Sequence, residues 1–174
     1  MNFNIDRSIE ILERTPSVLK SLLEGLSDDW IFSNEGEETW SAYDVVGHLI
    51  HGELTDWMPR TEIILSEAGS KRFTPFDRFA QFQVGRDKSM AELLTEFEEL
   101  RKRSIQQLRS KDIAEKNHDA TGIHPDFGEV KLSQLLSTWV VHDLNHIAQI
   151  SRVMAKQYKE AVGPWTVYLR ILQS

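Results

Sequence analysis

Three histidines have the residue type and the spacing to bind a metal ion together. His142 and His146 are four residues apart, so on an α-helix they lie about 40° apart and one turn above the other. Two imidazoles at this spacing can share one ion. His48 lies in an earlier segment, flanked by Val45 and Leu49 and therefore close to an apolar face. Spacing alone leaves the alternative that each is an ordinary hydrogen-bonded core histidine.

Three neutral imidazoles suit a divalent transition metal such as Zn, Ni, Fe or Co. Three protein ligands leave a coordination position for water or substrate, as in catalytic sites, whereas a structural site is closed by a fourth protein ligand. His51, three residues after His48, is a candidate for that fourth ligand or for a proton shuttle. A histidine at the rim of the site or on the surface is the simpler interpretation.

Other side chains could support the site. Asp44, one turn before His48, could accept a hydrogen bond from its second ring nitrogen, or it could simply cap the helix. Trp40 and Trp57 are the tryptophans nearest to His48 in sequence and could line a pocket, although core packing is the commoner role. Four further polar residues could contact a ligand, but we expect them to be solvated helix residues: Glu53, Asp56, Asp143 and Asn145. His118 and His124 lie in the third connection and could reach the mouth of a pocket, but we expect that they do not.

The composition excludes several classes of protein. The chain has 174 residues, which predicts one domain over 1–174, and no cysteine, which excludes a disulfide framework and zinc-finger chemistry. The net charge is −7, and basic residues concentrate only at Arg101-Lys102-Arg103. We interpret this run as a solvated helix face, so no nucleic-acid partner is expected. Without a signal peptide or a long apolar stretch, the sequence indicates a cytoplasmic protein with no membrane partner.

Four segments repeat apolar residues at the helical period: 6–26, 41–68, 89–108 and 132–156. Pro16 and Pro59 are expected to kink or split the first two. Ser41 and Asp44 have the pattern of a capping box, and we expect Ser133 or the residue before it to lie near the cap of the last helix.

Four long helices indicate an all-α four-helix bundle. The connections at 27–40, 69–88 and 109–131 are longer than the usual bundle loop of about 2–8 residues, and long loops are often functional. The segment 121–131 has the turn residues of a small hairpin, and 163–172 is apolar enough to form a short helical tail on the bundle.

Three motifs resemble the DinB/YfiT-like superfamily across nearly the whole chain. They are Gly47-His48-Leu49-Ile50 after Trp40-Ser41, then Trp139-Val140-Val141-His142-Asp143-Leu144-Asn145-His146-Ile147-Ala148-Gln149, and finally Gly163-Pro164-Trp165 with Tyr168-Leu169. The resemblance implies a four-helix bundle with metal ligands His48, His142 and His146, and a homodimer. Some members carry an aspartate three residues after the first histidine, where this chain has His51, so a role of that aspartate is not carried over.

The superfamily that this chain resembles includes thiol-dependent enzymes, such as bacillithiol transferases and mycothiol-dependent isomerases. Two kinds of function are therefore expected for the chain. The first is a metal-dependent enzyme acting on a small molecule, either a thiol-dependent S-transferase that uses a low-molecular-weight thiol or a small-molecule hydrolase. The alternative is a non-catalytic metal-binding stress-response module with a structural metal.

Overall fold

Each of the first two bundle helices is built from two shorter helices, whereas the other two are continuous. The structure, a computed structural model, describes residues 2–67, 69–77, 79–82 and 87–173. The helices are α1 (Ile5–Leu12), α2 (Thr15–Leu23), α3 (Asp28–Phe32), α4 (Ala42–Thr55), α5 (Trp57–Leu65), α6 (Met90–Ser110) and α7 (Leu132–Lys156). The strands β1 (Thr121–His124) and β2 (Gly128–Lys131) form a hairpin, and short 3₁₀ turns lie at Ala80–Phe82, Glu115–Asn117, Gly163–Tyr168 and Arg170–Leu172.

The four bundle helices are α1–α2, α4–α5, α6 and α7, which confirms the predicted fold class. Helix α4 packs against both α6 and α7, while α1 packs against α7 and α2 against α6. The hairpin predicted within 121–131 is present in the third connection, and 3₁₀ turns form the expected tail. No helix in the part of the chain that the structure describes is both long and apolar enough to cross a membrane.

The two breaks follow from proline chemistry. Proline has no N–H to donate to the carbonyl four residues earlier, and its ring clashes with that carbonyl. Helix α1 ends at Leu12, four residues before Pro16, and α4 ends at Thr55, four residues before Pro59. Both breaks therefore lie where the missing hydrogen bond places them.

The observed helix ends agree in part with those predicted from the sequence. The Ser41 box is present, because the Ser41 N–H donates to Asp44 Oδ2 at 2.9 Å and the Asp44 N–H donates to Ser41 Oγ at 3.2 Å. The second segment ends earlier than expected, at Leu65, and the expected end at Ala68 lies outside the described residues. The last helix begins at Leu132, as predicted, and its N-cap is Lys131, whose N–H donates to the side-chain oxygen of Gln134.

A buried ion cluster joins the helices at the centre of the bundle. Arg101 on α6 is 1% exposed. Its guanidinium donates to Glu53 of α4, to both carboxylate oxygens of Asp143 of α7, and to the carbonyl of Leu12 at 2.8 Å. That carbonyl is the one that Pro16 leaves without a helical donor. The cluster therefore satisfies a backbone group that the first break exposes.

This cluster corrects two expectations. Arg101 is buried, whereas its neighbours Lys102 and Arg103 are exposed, so the basic run is solvated only in part. Glu53 and Asp143 are buried as well, although both were expected to be solvated helix residues. The physical reason is pairing, since a buried charge persists when an opposite charge and hydrogen bonds compensate its lost hydration.

Removing the guanidinium should destabilise the protein strongly. Arg101→Met leaves two buried carboxylates without their partner, so we expect the free energy of unfolding to fall by about 3–5 kcal/mol. Arg103→Met is the matched control, because the Arg103 side chain is 67% exposed and its ion pair with Glu99 is long at 3.7 Å. We expect the free energy of unfolding of this variant to change by no more than about 0.5 kcal/mol. Urea unfolding followed by circular dichroism measures both. Equal losses in the two variants would contradict the role assigned to the cluster.

Candidate metal centre

Helices α4 and α7 bring the three predicted ligands together. The Nε2 atom of His142 is 3.0 Å from Nε2 of His48 and 3.1 Å from Nε2 of His146. One ligand atom from each side chain can be chosen so that all three lie within 4.8 Å of one another. His142 and His146 are neighbours because of helical spacing, but His48 reaches them only because α4 packs against α7.

The convergence of three ring nitrogens fits a metal ion better than it fits hydrogen bonds. A neutral imidazole nitrogen carries either one N–H or one lone pair. Nε2 of His142 therefore can form a hydrogen bond with only one of its two close neighbours. Ligands about 2.0–2.1 Å from a common ion lie about 2.9–3.4 Å apart at angles between 90° and tetrahedral, and the two close separations of 3.0 and 3.1 Å are in this range.

Burial keeps these histidines neutral. Desolvation lowers the pKa of His48 to about 3 and the pKa of His142 to about 2, from the usual 6.5. Burial also lowers the pKa of His146, although a hydrogen bond with Gln149 opposes the shift. At neutral pH each ring therefore has a lone pair for a metal ion, which is the form of histidine that binds metals.

The cluster offers three protein ligands in the described part of the chain, which would leave a coordination position for water or substrate. Within the described ranges, no other histidine, cysteine, aspartate or glutamate joins the cluster. The ring of His51 instead packs against Phe76, with centroids 4.9 Å apart, and its Nε2 lies 3.4 Å from the hydroxyl of Thr55. The proton-shuttle role of His51 stays a prediction.

Aromatic rings surround the three imidazoles. Trp40 lies 4.9 Å from the ring of His48 and stacks on His146 at 6.2 Å. Trp57 meets the ring of His142 edge-on at 5.0 Å. Both tryptophans thus line the site, as was considered from the sequence. Phe76 also contacts His48, at 5.4 Å. No sequence pattern indicates this contact, because Phe76 lies in a connection without periodicity.

Asp44 caps its helix and does not orient His48. Its carboxylate accepts hydrogen bonds from the backbone N–H and the hydroxyl of Ser41. Nδ1 of His48 and Nδ1 of His142 are buried and have no hydrogen-bond partner among the described residues. The free ring nitrogen of His146 does have one, since its Nδ1 lies 2.7 Å from the side-chain oxygen of Gln149.

The remaining polar candidates do not belong to the histidine cluster in the described part of the chain. Asp56 is buried, contrary to expectation, and forms an ion pair with Arg60 at 2.5 Å. His118 and His124 lie outside the cluster, as expected; their rings pack against Phe3 and Phe127.

An open surface cavity of about 420 Å³ lies along α7, and all of its described lining residues belong to this helix. His142 forms part of its lining, so the cavity reaches one of the three ligands. Asn145 is exposed and borders this cavity. No lysine, arginine or acidic residue is found among the described lining residues, which are Ser137, Thr138, Val141, His142 and Asn145.

The fold and the site together define a four-helix-bundle protein with a cluster of three histidines that could hold a metal ion. The sequence profile of the DinB superfamily matches residues 11–150. The chain therefore belongs to the DinB superfamily.

Comparisons with individual proteins agree with this assignment. The chain is 26% identical to YfiT of Bacillus subtilis (strain 168) over 152 residues, which cover 85% of this chain and 83% of that protein. The solved structure of YfiT, described as "a probable metal-dependent hydrolase", superposes with a TM-score of 0.73 at 23% identity, covering 88% of this chain and 87% of YfiT. The four-helix bundle protein TT2238 superposes with a TM-score of 0.57 at 19% identity, covering 85% and 98%.

Removing one ligand should remove the metal but keep the fold. His48→Ala deletes an imidazole whose Nε2 lies 3.0 Å from that of His142, and the hydrophobic packing of the bundle remains. We expect the bound metal, measured by elemental analysis after dialysis, to fall to background. His51→Ala, one turn along the same helix, is the control and should keep wild-type metal. Equal metal in wild type and His48→Ala would show that the site is assigned wrongly.

The metal-free protein should lose stability as the pH falls below 6.5. The unfolded chain protonates its histidines near the ordinary pKa of 6.5, whereas burial lowers the pKa of His48 to about 3 and that of His142 to about 2. Between these values the unfolded chain binds more protons, so the free energy of unfolding rises with pH.

Urea unfolding at several pH values between 5 and 7, in the presence of a chelator, measures this slope. His142→Gln should flatten it, because one buried histidine no longer contributes. His118→Gln, which lies outside the cluster, should keep the wild-type slope. The same slope in wild type and His142→Gln would contradict the expected linkage.

Proposed function

We propose that this protein is a metal-dependent hydrolase that acts on an uncharged small molecule with an apolar group. The observation that carries the proposal is a three-histidine centre, with no fourth protein ligand among the described residues, beside a cavity that reaches His142. YfiT, which is 26% identical to this chain over 152 residues, is named as a metal-dependent hydrolase, and this name supports hydrolysis.

The protein's own side chains have distinct tasks in this proposal. His48, His142 and His146 hold a divalent ion, and such an ion supplies Lewis acidity that polarises a carbonyl group and acidifies a water molecule. Trp40 and Phe76 cover the imidazoles and limit the access of bulk water. A partly dry site strengthens the electrostatic interactions inside it.

The cavity beside His142 is proposed to receive the substrate. Val141 and the methyl group of Thr138 offer apolar surface, and the amide of Asn145 offers hydrogen bonds. Without a charged side chain among the described lining residues, this cavity has nothing to neutralise an anionic substrate. Neutral esters and amides with a modest apolar group match these properties.

Thiol-dependent S-transfer and the structural metal module stay predictions from the sequence. Both can be separated from hydrolysis by experiment, since an S-transferase needs a low-molecular-weight thiol and a structural site needs no substrate. Homodimerisation and a cytoplasmic location also stay predictions.

Hydrolysis of a panel of neutral chromogenic esters and amides tests the proposal. Metal-loaded wild type should hydrolyse at least one class, activity should vanish with a chelator, and it should return when the metal is restored. No turnover across the panel, together with transfer of a low-molecular-weight thiol to an electrophile, would overturn hydrolysis in favour of S-transfer. Inactivity in both assays would favour the structural module.

A matched pair of tryptophan variants tests the position of the substrate. Val141→Trp should fill the cavity and lower kcat/KM by about tenfold or more, equivalent to about 1.4 kcal/mol or more of lost transition-state stabilisation. Leu144→Trp changes another exposed apolar residue of α7 that does not line the cavity, and it should keep wild-type kcat/KM. Metal content should be the same in both. Equal kcat/KM in both variants would place the substrate elsewhere.

A further inference from the structure

We infer that Gln149 is a positioning residue that sets the tautomer and orientation of His146 and thereby strengthens metal binding. This inference rests on the metal centre of the proposed function. It goes beyond that proposal because it assigns a role to a residue that does not itself bind the ion.

The contact between Gln149 and His146 is short, and only one of its two atoms can be the hydrogen-bond donor. The side-chain oxygen Oε1 of Gln149 lies 2.7 Å from Nδ1 of His146. An amide oxygen can only accept a hydrogen bond, so Nδ1 of His146 must carry the proton. Nε2 of the same ring then keeps its lone pair, and Nε2 is the atom that lies 3.1 Å from Nε2 of His142. The hydrogen bond thus selects the tautomer that a metal ion needs.

Gln149 also fixes the orientation of the ring. It follows His146 by three residues on the same continuous helix, α7, so the two side chains lie on one face. Trp40 stacks on His146 nearly parallel, at an interplanar angle of 12°. The imidazole is therefore held by a ring over its face and by an acceptor at its edge.

His146 differs in this respect from the other two ligands. Nδ1 of His48 and Nδ1 of His142 are buried without a hydrogen-bond partner among the described residues. In that part of the chain, no hydrogen bond to Nδ1 selects the tautomer of these two rings. Of the three predicted ligands, only His146 has a hydrogen-bond partner at Nδ1 among the described residues. Loss of Gln149 should therefore weaken metal binding, although Gln149 does not itself bind the ion.

Titration of the metal-free full-length protein with Co²⁺, followed by the visible spectrum of the bound ion, tests the inference. Gln149→Leu keeps the size of the side chain but removes the acceptor, and it should weaken Co²⁺ binding about 10–100-fold, the usual effect of losing such a partner. Gln149→Glu restores an acceptor oxygen and should bring affinity back close to the wild-type value. Gln107→Leu, an exposed glutamine on α6, is the control and should not change it.

A second measurement, without metal, tests the hydrogen bond itself. Long-range ¹⁵N–¹H spectra of the apo protein report which ring nitrogen of His146 carries the proton. Wild type and Gln149→Glu should show the Nδ1–H form, and Gln149→Leu should show increased Nε2–H. Melting curves of all variants identify any that fail to fold, and for such a variant the Gln149→Glu spectra and affinity decide.

The outcomes separate this inference from the proposed function. If wild type binds Co²⁺, His48→Ala does not, and Gln149→Leu binds as tightly as wild type, the inference is overturned while the metal centre stands. If wild type and His48→Ala bind Co²⁺ equally, the metal centre is wrong and the inference fails with it. Weaker binding in both leucine variants, including Gln107→Leu, would also overturn it.

Discussion

The buried guanidinium of Arg101 is the interaction on which the arrangement of the bundle depends. Its five N–H groups are all used, by two carboxylates and one backbone carbonyl on three other helices. Phe97 and Trp139 lie beside its charged group, at 4.9 and 5.1 Å from ring centroid to guanidinium carbon. An arginine this deep in a bundle is stable only with all its partners in place, so the cluster fixes the positions of α1, α4, α6 and α7 relative to one another.

The same cluster links the core to the metal centre. Asp143 follows His142 directly on α7, and Glu53 lies on the same helix as His48. Two carboxyl groups face a single guanidinium, so the cluster carries at most one net negative charge. Burial raises the pKa of Glu53, and Arg101 opposes this shift. Burial is the main cause that lowers the pKa of both His142 and His146; the charge of Arg101 adds to this effect at His142, whereas Asp143 opposes it at His146.

The candidate metal centre lies where α4 and α7 meet, and the breaks and long connections determine what surrounds it. Thr55 and Trp57 flank the break that Pro59 imposes. Trp57 is the first residue of α5, and its ring packs edge-on against the ring of His142. Phe76 comes from the connection between the second and third bundle helices and contacts His48. The bundle thus supplies the ligands, whereas an irregular segment supplies part of the covering. Such segments are where related folds commonly differ in function.

The sequence by itself determined the features that depend on short-range geometry. Helical periodicity predicted four bundle helices, the prolines predicted the two breaks, and the four-residue spacing paired His142 with His146. The contact of Gln149 is also local, because it follows His146 by three residues on one helix face, and this spacing was a signal that the sequence contained.

Only the tertiary structure decided the contacts between distant segments. Arg101 looks like part of a solvated basic run in the sequence, and its burial depends on Glu53 and Asp143, which are 48 and 42 residues away along the chain. His48 joins the other ligands across 94 residues. Periodicity describes one helix at a time, and it cannot show which faces of different helices pack together. That packing brings the three imidazoles together and pairs the buried charges of Arg101, Glu53 and Asp143.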